Sequence, residues 1–235
     1  MKIGLFQVCD KDRYTAKLFG PLGLSYISSY LKEYGGYDDI FIERDLENLI
    51  TKKPDVVGIS SYTETFMETC NIATVIKSRL DIPIILGGHH ITGIPESLPP
   101  QIDAGVIGEG EEIFLDLIKS LEKDSLENLN FSGFSGIVYH ENGIPKVTHR
   151  KKELIEVDKI PKPDRRLLEQ LSPNFEPLLH TSRGCPYTCS FCSVFSRKVR
   201  FHSPERVVEE IIDIKRKYPN KKFIHISDDI FALKN

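Results

Sequence analysis

The feature that most constrains the fold is a regular alternation of short apolar runs with amphipathic segments in the first half of the chain. The strand candidates are residues 2–8, 38–43, 56–60 and 82–88, and the helix candidates are residues 20–36, 46–53, 64–80 and 111–121. Buried strands that alternate with helices form a parallel sheet with both faces covered. The sequence therefore predicts an α/β fold built on a doubly wound parallel sheet.

This pattern changes after about residue 123. Residues 135–150 contain two β-rich runs around Asn142-Gly143, a pair typical of a hairpin turn, and a proline-rich connector follows. From Glu176 a strand–helix–strand pattern resumes, with Ser203 as the expected N-cap of its helix. We therefore predict an α/β domain over residues 1–125, a hairpin and connector over 126–175, and the start of a further domain over 176–235.

The composition limits the classes of function. The chain has 235 residues and a formal net charge of −3, which disfavours binding to nucleic acid. The N-terminus does not resemble a signal peptide, and no apolar run approaches the roughly 20 residues that span a bilayer. We expect a cytoplasmic protein. Of its five cysteines, Cys9 and Cys70 are expected to be ordinary buried residues.

The other three cysteines lie close together in the segment TSRGCPYTCSFCSV, residues 181–194. Cys185, Cys189 and Cys192 have the spacing C-x3-C-x2-C, after a predicted strand and before a predicted helix. Structural zinc sites and iron–sulfur clusters usually take four protein ligands, so three thiolates leave one metal position open. A zinc loop completed by His180 or His202 is the alternative.

The spacing, together with Phe191 directly before the last cysteine, resembles the signature of the radical S-adenosylmethionine (SAM) superfamily. The resemblance implies that Cys185, Cys189 and Cys192 hold a [4Fe–4S] cluster whose open iron binds SAM. It further implies that Phe191 lies near the adenine. At least one of Asp228 and Asp229, after the next predicted strand, is expected near the SAM amino group or ribose.

Three glycine-containing turns follow predicted strands of the first domain: GISS at residues 58–61, GGHH at 87–90 and GEGE at 108–111. Turns that follow parallel strands gather at the carboxyl edge of the sheet, where ligands of open α/β sheets bind. Glycines allow a ligand to approach the backbone closely. Each turn alone is equally typical of an ordinary tight turn.

In this order the turns resemble the cobalamin-binding domain, of flavodoxin-like or Rossmann-like fold, that precedes the radical SAM barrel in one branch of the superfamily. The resemblance places the corrinoid tail near Ser60, Ser61, Gly87 and Gly88. It places the corrin near Gly108, Glu109 and Gly110.

One departure from many cobalamin-binding domains concerns the ligand of cobalt. Such domains carry D-x-H-x-x-G after the first strand, whereas this chain reads VCDKDRYTAKLFG there, without a histidine. We expect cobalt to have no histidine ligand from this loop. His89 or His90 remains an alternative ligand, although adjacent turn histidines are more often solvated or bonded to backbone.

Together these resemblances predict the N-terminal portion of a cobalamin-containing radical SAM enzyme that generates a 5′-deoxyadenosyl radical, with methyl transfer to an unactivated centre as its reaction. The alternatives are a radical SAM enzyme without cobalamin, of methylthiolation or oxidative and cyclising type, and a non-catalytic binding module with a zinc loop. The expected partners are a small-molecule or peptide substrate and an electron donor such as flavodoxin or ferredoxin. Only about 60 residues follow the connector, so we expect the first two β/α units of an incomplete TIM-type barrel.

Overall fold

A computed structural model of the chain describes residues 1–9, 18–149, 153–172, 174–231 and 233. The strands of its main sheet are β1 (Ile3–Gln7), β2 (Ile40–Glu43), β3 (Val56–Ser60), β4 (Ile84–Gly87), β5 (Ala104–Val106), β6 (Ile137–Glu141) and β7 (Ile144–Val147). They follow one another in the order β2-β1-β3-β4-β5-β6-β7, and the first five are parallel. The predicted doubly wound parallel sheet is confirmed.

The helices of this unit cover both faces of the sheet. They are α1 (Leu22–Gly35), α2 (Leu46–Lys52), α3 (Phe66–Leu80), the short α4 (His89–Gly93) and α5 (Glu111–Leu121). Side chains of a strand alternate between the two faces, so Leu5 joins the core beneath α1 and α5 whereas Phe6 joins the core beneath α3. Burial on both faces explains why the strands are continuous apolar runs.

Glycine fixes two features of this packing. Helix α1 is capped by Gly36, whose φ of 71° is left-handed and whose N–H donates to carbonyls in the last turn of the helix. In β3, a Cβ on Gly58 would lie 2.9 Å from Cζ of Phe114, so the missing side chain lets α5 pack close to the sheet.

The hairpin predicted around Asn142-Gly143 forms, and it belongs to the main sheet. Strand β6 pairs antiparallel with β5, and β7 pairs antiparallel with β6. The sheet therefore continues through residues that the sequence pattern had separated from the first domain.

The remaining elements are α6 (Arg165–Leu171), β8 (Leu178–Leu179), β9 (Ser182–Arg183), β10 (Arg200–Phe201), α7 (Pro204–Lys217) and β11 (His225–Ile226). Strands β8 and β11 pair in parallel across α7, which gives the predicted β–α–β start of a barrel. Both strands are only two residues long, shorter than the apolar runs that predicted them, and together they form a two-stranded sheet. Among the helices of the described residues, none has the length and apolar character of a membrane span.

A buried ion pair ties this β–α–β unit to the connector. Arg165 of α6 bonds the carboxylate of Glu210 in α7, and the side chains are only 9% and 3% exposed. The same guanidinium donates to the carbonyl of Leu178 in β8 at 2.6 Å. One arginine thereby holds α6, α7 and β8 together.

We predict that Arg165→Met lowers the free energy of unfolding by about 3–5 kcal/mol, because it leaves the Glu210 carboxylate buried without a counter-charge. The double variant Arg165→Met/Glu210→Met should recover much of this loss. Urea denaturation followed by circular dichroism measures both effects.

The matched control is Lys146→Met, which removes the exposed pair with Glu141 in the β6–β7 hairpin. Its denaturation midpoint should stay close to wild type, because water screens exposed pairs. Equal losses in Lys146→Met and Arg165→Met would contradict the structural role of the buried pair.

Candidate functional site

A cavity of about 850 Å³ opens at the carboxyl edge of the parallel strands. This lies within the range of roughly 300–1,000 Å³ that ligand pockets occupy. Six of the seven residues predicted to contact the corrinoid line it: Ser60, Gly87, Gly88, Gly108, Glu109 and Gly110. On the opposite side it is bounded by His180, Arg183 and Asp229, which belong to the β–α–β unit.

Ser61, the seventh of these residues, is buried and is not among the lining residues. Its hydroxyl donates to the carbonyl of Tyr62 at 3.1 Å and accepts from Thr69 Oγ1 at 2.7 Å. Ser60 and Ser61 point to opposite faces at the end of the strand, and Ser61 points toward α3. Ser61 thus holds α3 to the end of β3.

The glycines at the cavity serve different purposes. A Cβ on Gly87 would meet only the carbonyl oxygen of Ile59, at 3.9 Å, so the missing side chain leaves free space in the cavity wall. A Cβ on Gly88 would lie 2.4 Å from the carbonyl oxygen of Ser61, and its φ is 101°. Gly88 is therefore required by the turn itself, whereas Gly87 keeps the wall open.

The two adjacent histidines also differ. Both ring nitrogens of His90 are engaged, Nδ1 with Thr63 Oγ1 at 3.1 Å and Nε2 with Ser97 Oγ at 3.0 Å, and burial lowers its pKa. His89 is exposed, stacks on Tyr62 at 5.3 Å between ring centroids, and lines the cavity. Only His89 is placed to face a ligand. The predicted histidine-free loop after β1 includes residues 10–17, which lie outside the described residues.

The cysteine loop, Gly184–Val199, joins β9 to β10. Cys185 is buried, Cys192 is half-buried and Cys189 is exposed, and all three are free thiols. Its neck is closed by the β9–β10 pairing and by the N–H of Cys185, which donates to the carbonyl of Ser196 at 3.0 Å. In the described ranges, no three His, Cys, Asp or Glu side chains are grouped closely enough to hold a metal ion.

The donor chemistry of the loop suits a cluster better than a single ion. Ligands of one zinc ion each lie about 2.3 Å from it, whereas three cysteines of a cluster bind three separate irons and lie further apart. In the described residues, neither alternative zinc ligand, His180 or His202, is grouped with the cysteines closely enough to hold one ion. Three free thiols on one loop fit a [4Fe–4S] cluster, around which they would have to converge.

The two adjacent aspartates have separate surroundings. Asp228, with a side chain only 1% exposed, accepts hydrogen bonds from the backbone and hydroxyls of Thr181 and Ser182. Burial raises its pKa, but these bonds and His180 outweigh burial and lower the pKa to about 2. Asp229 lines the cavity and accepts from the N–H of Gly184 at 2.9 Å. Asp229 is thus the aspartate that faces a ligand.

Three other residues from the sequence analysis, Phe191, Cys9 and Cys70, are exposed or half-buried in the structure. The side chain of Phe191 is 91% exposed and lies outside the cavity lining. Cys9 and Cys70 are half-buried rather than buried, and Cys9 lines the cavity at the end of β1. Burial raises the pKa of the Cys70 thiol.

Polar residues that the sequence analysis missed join the two halves of the cavity. Arg183 Nη1 lies 2.7 Å from Glu111 Oε1, and Arg200 bonds Glu109. Tyr26 of α1 is buried under the guanidinium of Arg183, and in the described part of the chain its hydroxyl has no hydrogen-bond partner. The arginine of TSRGC and the acids of GEGE were visible signals, but only the fold brings them together.

Two observations on this structure show that the cavity fits cobalamin. Gly87 leaves the wall open, and Glu109 Oε2 is a buried acceptor that lies 3.8 Å from Arg183 Nη1 but has no hydrogen-bond partner among the described residues. The corrin periphery carries amide groups that can donate to such an acceptor.

Comparison with known proteins agrees with this geometry. Residues 15–118 match the B12 binding domain. An uncharacterized methyltransferase of Pyrococcus horikoshii is 34% identical over 91% of this chain and 49% of the relative. An anaerobic magnesium-protoporphyrin IX monomethyl ester cyclase of Rubrivivax gelatinosus is 33% identical over 81% of this chain and 38% of the relative.

Among solved structures, the cobalamin-dependent SAM radical enzyme OxsB with aqua-cobalamin bound superposes with a TM-score of 0.79. It shares 23% identity, and the match covers 98% of this chain and 34% of that one. The chain therefore spans about half the length, or less, of the relatives that it matches. From the matched domain, the cysteine signature and these relatives, we conclude that the chain belongs to the radical SAM proteins that contain a B12-binding domain.

Proposed function

We propose that the chain provides the cobalamin-binding domain and the cluster loop of a radical SAM methyltransferase. The observation that carries the proposal is a shared space between the two parts. A second cavity, of about 220 Å³, is lined by Gly184 and Ser193 of the cysteine loop and by Gly88 and Gly108 of the sheet edge. It also shares Glu109 and Asp229, among others, with the larger cavity. The two cofactor sites thus face each other.

In this proposal each part of the chain has a binding role. Cys185, Cys189 and Cys192 hold the cluster, and Asp229 accepts a hydrogen bond from the ammonium or ribose of SAM. When bound, the cluster supplies an electron that cleaves SAM to methionine and a 5′-deoxyadenosyl radical, and cobalamin supplies a methyl group. The protein positions these groups and excludes water between them.

The sheet edge is the proposed cobalamin site. Gly87 allows the ligand to lie against the backbone, and Glu109 Oε2 accepts from an amide of the corrin periphery. Cobalt takes no ligand from His90 because both of its ring nitrogens are already hydrogen-bonded. The proposed electron donor is a flavodoxin- or ferredoxin-type protein.

A second candidate reaction is ring formation. It is favoured by one observation, the 33% identity to a relative named as an ester cyclase. Binding of cobalamin and the cluster would be common to both reactions. Incubation of the chain with SAM and a reductant, followed by detection of 5′-deoxyadenosine, tests radical generation for either reaction.

We predict that anaerobic reconstitution with iron and sulfide gives a brown protein with about four irons per chain. Cys185→Ala, Cys189→Ala and Cys192→Ala should each lose the colour and most of the iron, because each removes one of three ligands. Cys70→Ala, on α3 and outside both cavity linings, is the control and should keep both. A colourless protein that retains zinc would contradict the proposal.

We also predict that the chain retains hydroxocobalamin through gel filtration and that Gly87→Val weakens this binding at least tenfold, about 1.4 kcal/mol. The Cβ of the valine meets its nearest neighbour, the carbonyl oxygen of Ile59, at 3.9 Å, so the side chain should occupy ligand space without unfolding the sheet. Gly133→Val, also in open space but in the segment before the hairpin, is the control. Equal affinities of the two variants, measured by absorbance titration, would place the corrinoid elsewhere, and no retention by wild type would favour the enzyme without cobalamin.

A further inference from the structure

The GEGE turn, Gly108–Glu111, contacts the cysteine loop as well as the cavity. The ring of Phe195 lies directly over Gly108, so that a Cβ built on this glycine would be 2.4 Å from Phe195 Cζ. Gly108 has a φ of 89°, and its N–H donates to Thr92 Oγ1 at 3.0 Å. One side chain of the loop therefore packs directly against the turn.

Two ion pairs add a second connection at the neck of the loop. Arg183 of β9 and Arg200 of β10 stand directly opposite each other in the antiparallel ribbon. Like charges in that position repel, and the carboxylates of Glu111 and Glu109 in the turn neutralise them. The ribbon that closes the cysteine loop thus depends on the turn for its counter-charges.

These contacts matter because a cluster would restrict the conformations of the loop. Its three thiols range from buried to exposed, whereas a cluster would hold all three around one centre. Cys185 is two residues from Arg183, and Phe195 is three residues from Cys192. A rearrangement of the thiols therefore pivots on contacts that the turn controls.

We propose that the GEGE turn couples the two cofactor sites, so that occupation of the cobalamin cavity and assembly of the cluster in the cysteine loop strengthen each other. This inference rests on the proposed function. A ligand against Glu109 restrains the turn, the restrained turn holds Phe195 and Arg200, and the loop then has fewer conformations to lose when its thiols converge. Such coupling is reciprocal, since each ligand must change the affinity for the other by the same factor.

The test compares the hydroxocobalamin dissociation constants of the chain before and after cluster reconstitution, measured by absorbance titration. In wild type the cluster should tighten binding by roughly 5- to 150-fold, the usual range of coupling between sites. In Phe195→Ala and Arg200→Gln this ratio should fall toward one. If Phe195 and Arg200 served only in folding, their variants would weaken cobalamin binding equally with and without the cluster. The ratio of the two dissociation constants would then stay unchanged.

The matched control is Arg197→Gln, which removes an arginine of the same loop whose side chain donates within the loop, to the carbonyl of Tyr187. It should keep the wild-type ratio. If Phe195→Ala or Arg200→Gln takes up no cluster, the alkylation rate of Cys192 in the apo-chain is measured by mass spectrometry. Cobalamin should slow this rate several-fold in wild type and leave it unchanged in the two variants.

The outcomes separate this inference from the proposed function. A wild-type ratio of one, or the wild-type ratio in all variants, overturns the coupling while both cofactors still bind. Equal effects of cobalamin on Cys192 alkylation in wild type and Arg200→Gln overturn it as well. A wild-type chain that binds no cobalamin or assembles no cluster overturns the proposed function, and the coupling with it.

Discussion

Parallel strand pairing is the constraint on which the rest of this structure depends. Because β1, β3, β4 and β5 run in the same direction, the turns that leave them emerge at one edge. Residues that are far apart in sequence, such as Ser60 and Gly108, consequently line one cavity. The cysteine loop lies opposite this edge of the sheet. The chemistry proposed for the chain requires the loop and the edge to be close together.

Much of the fold could be predicted from the sequence because its signals are local. Strand β3 and helix α5 begin and end at the predicted residues, since an unbroken apolar run and an amphipathic period mark them clearly. The glycine at the end of α1 and the hairpin turn also follow from backbone preferences of single residues. The membership of the hairpin in the main sheet could not be predicted, because strand pairing is decided by distant neighbours.

Some features of the candidate site could likewise be predicted from the sequence, and others could not. Glycines and serines after strands indicated the cavity, and the cysteine spacing indicated the loop. Which way a side chain points was not available from the sequence: Ser61 turns inward to α3, and Asp228 accepts hydrogen bonds from Thr181 and Ser182, which follow a different strand. The arginines opposite the GEGE acids form a site only after two separate segments meet.

The connector between the two parts follows the surface of α1 rather than crossing open solvent. Asp164 donates its N–H to the carbonyl of Ser25 at 3.1 Å and accepts from Lys32 Nζ at 2.6 Å, while the Tyr34 hydroxyl donates to the carbonyl of Lys159 at 2.7 Å. A flexible tether would give the cysteine loop a range of distances from the sheet edge and an average local concentration. A segment that is bonded to α1 at these points instead holds the cysteine loop at one distance from the sheet edge. In the proposed function, the separation between the two cofactor sites would thus be set by the contacts with helix α1.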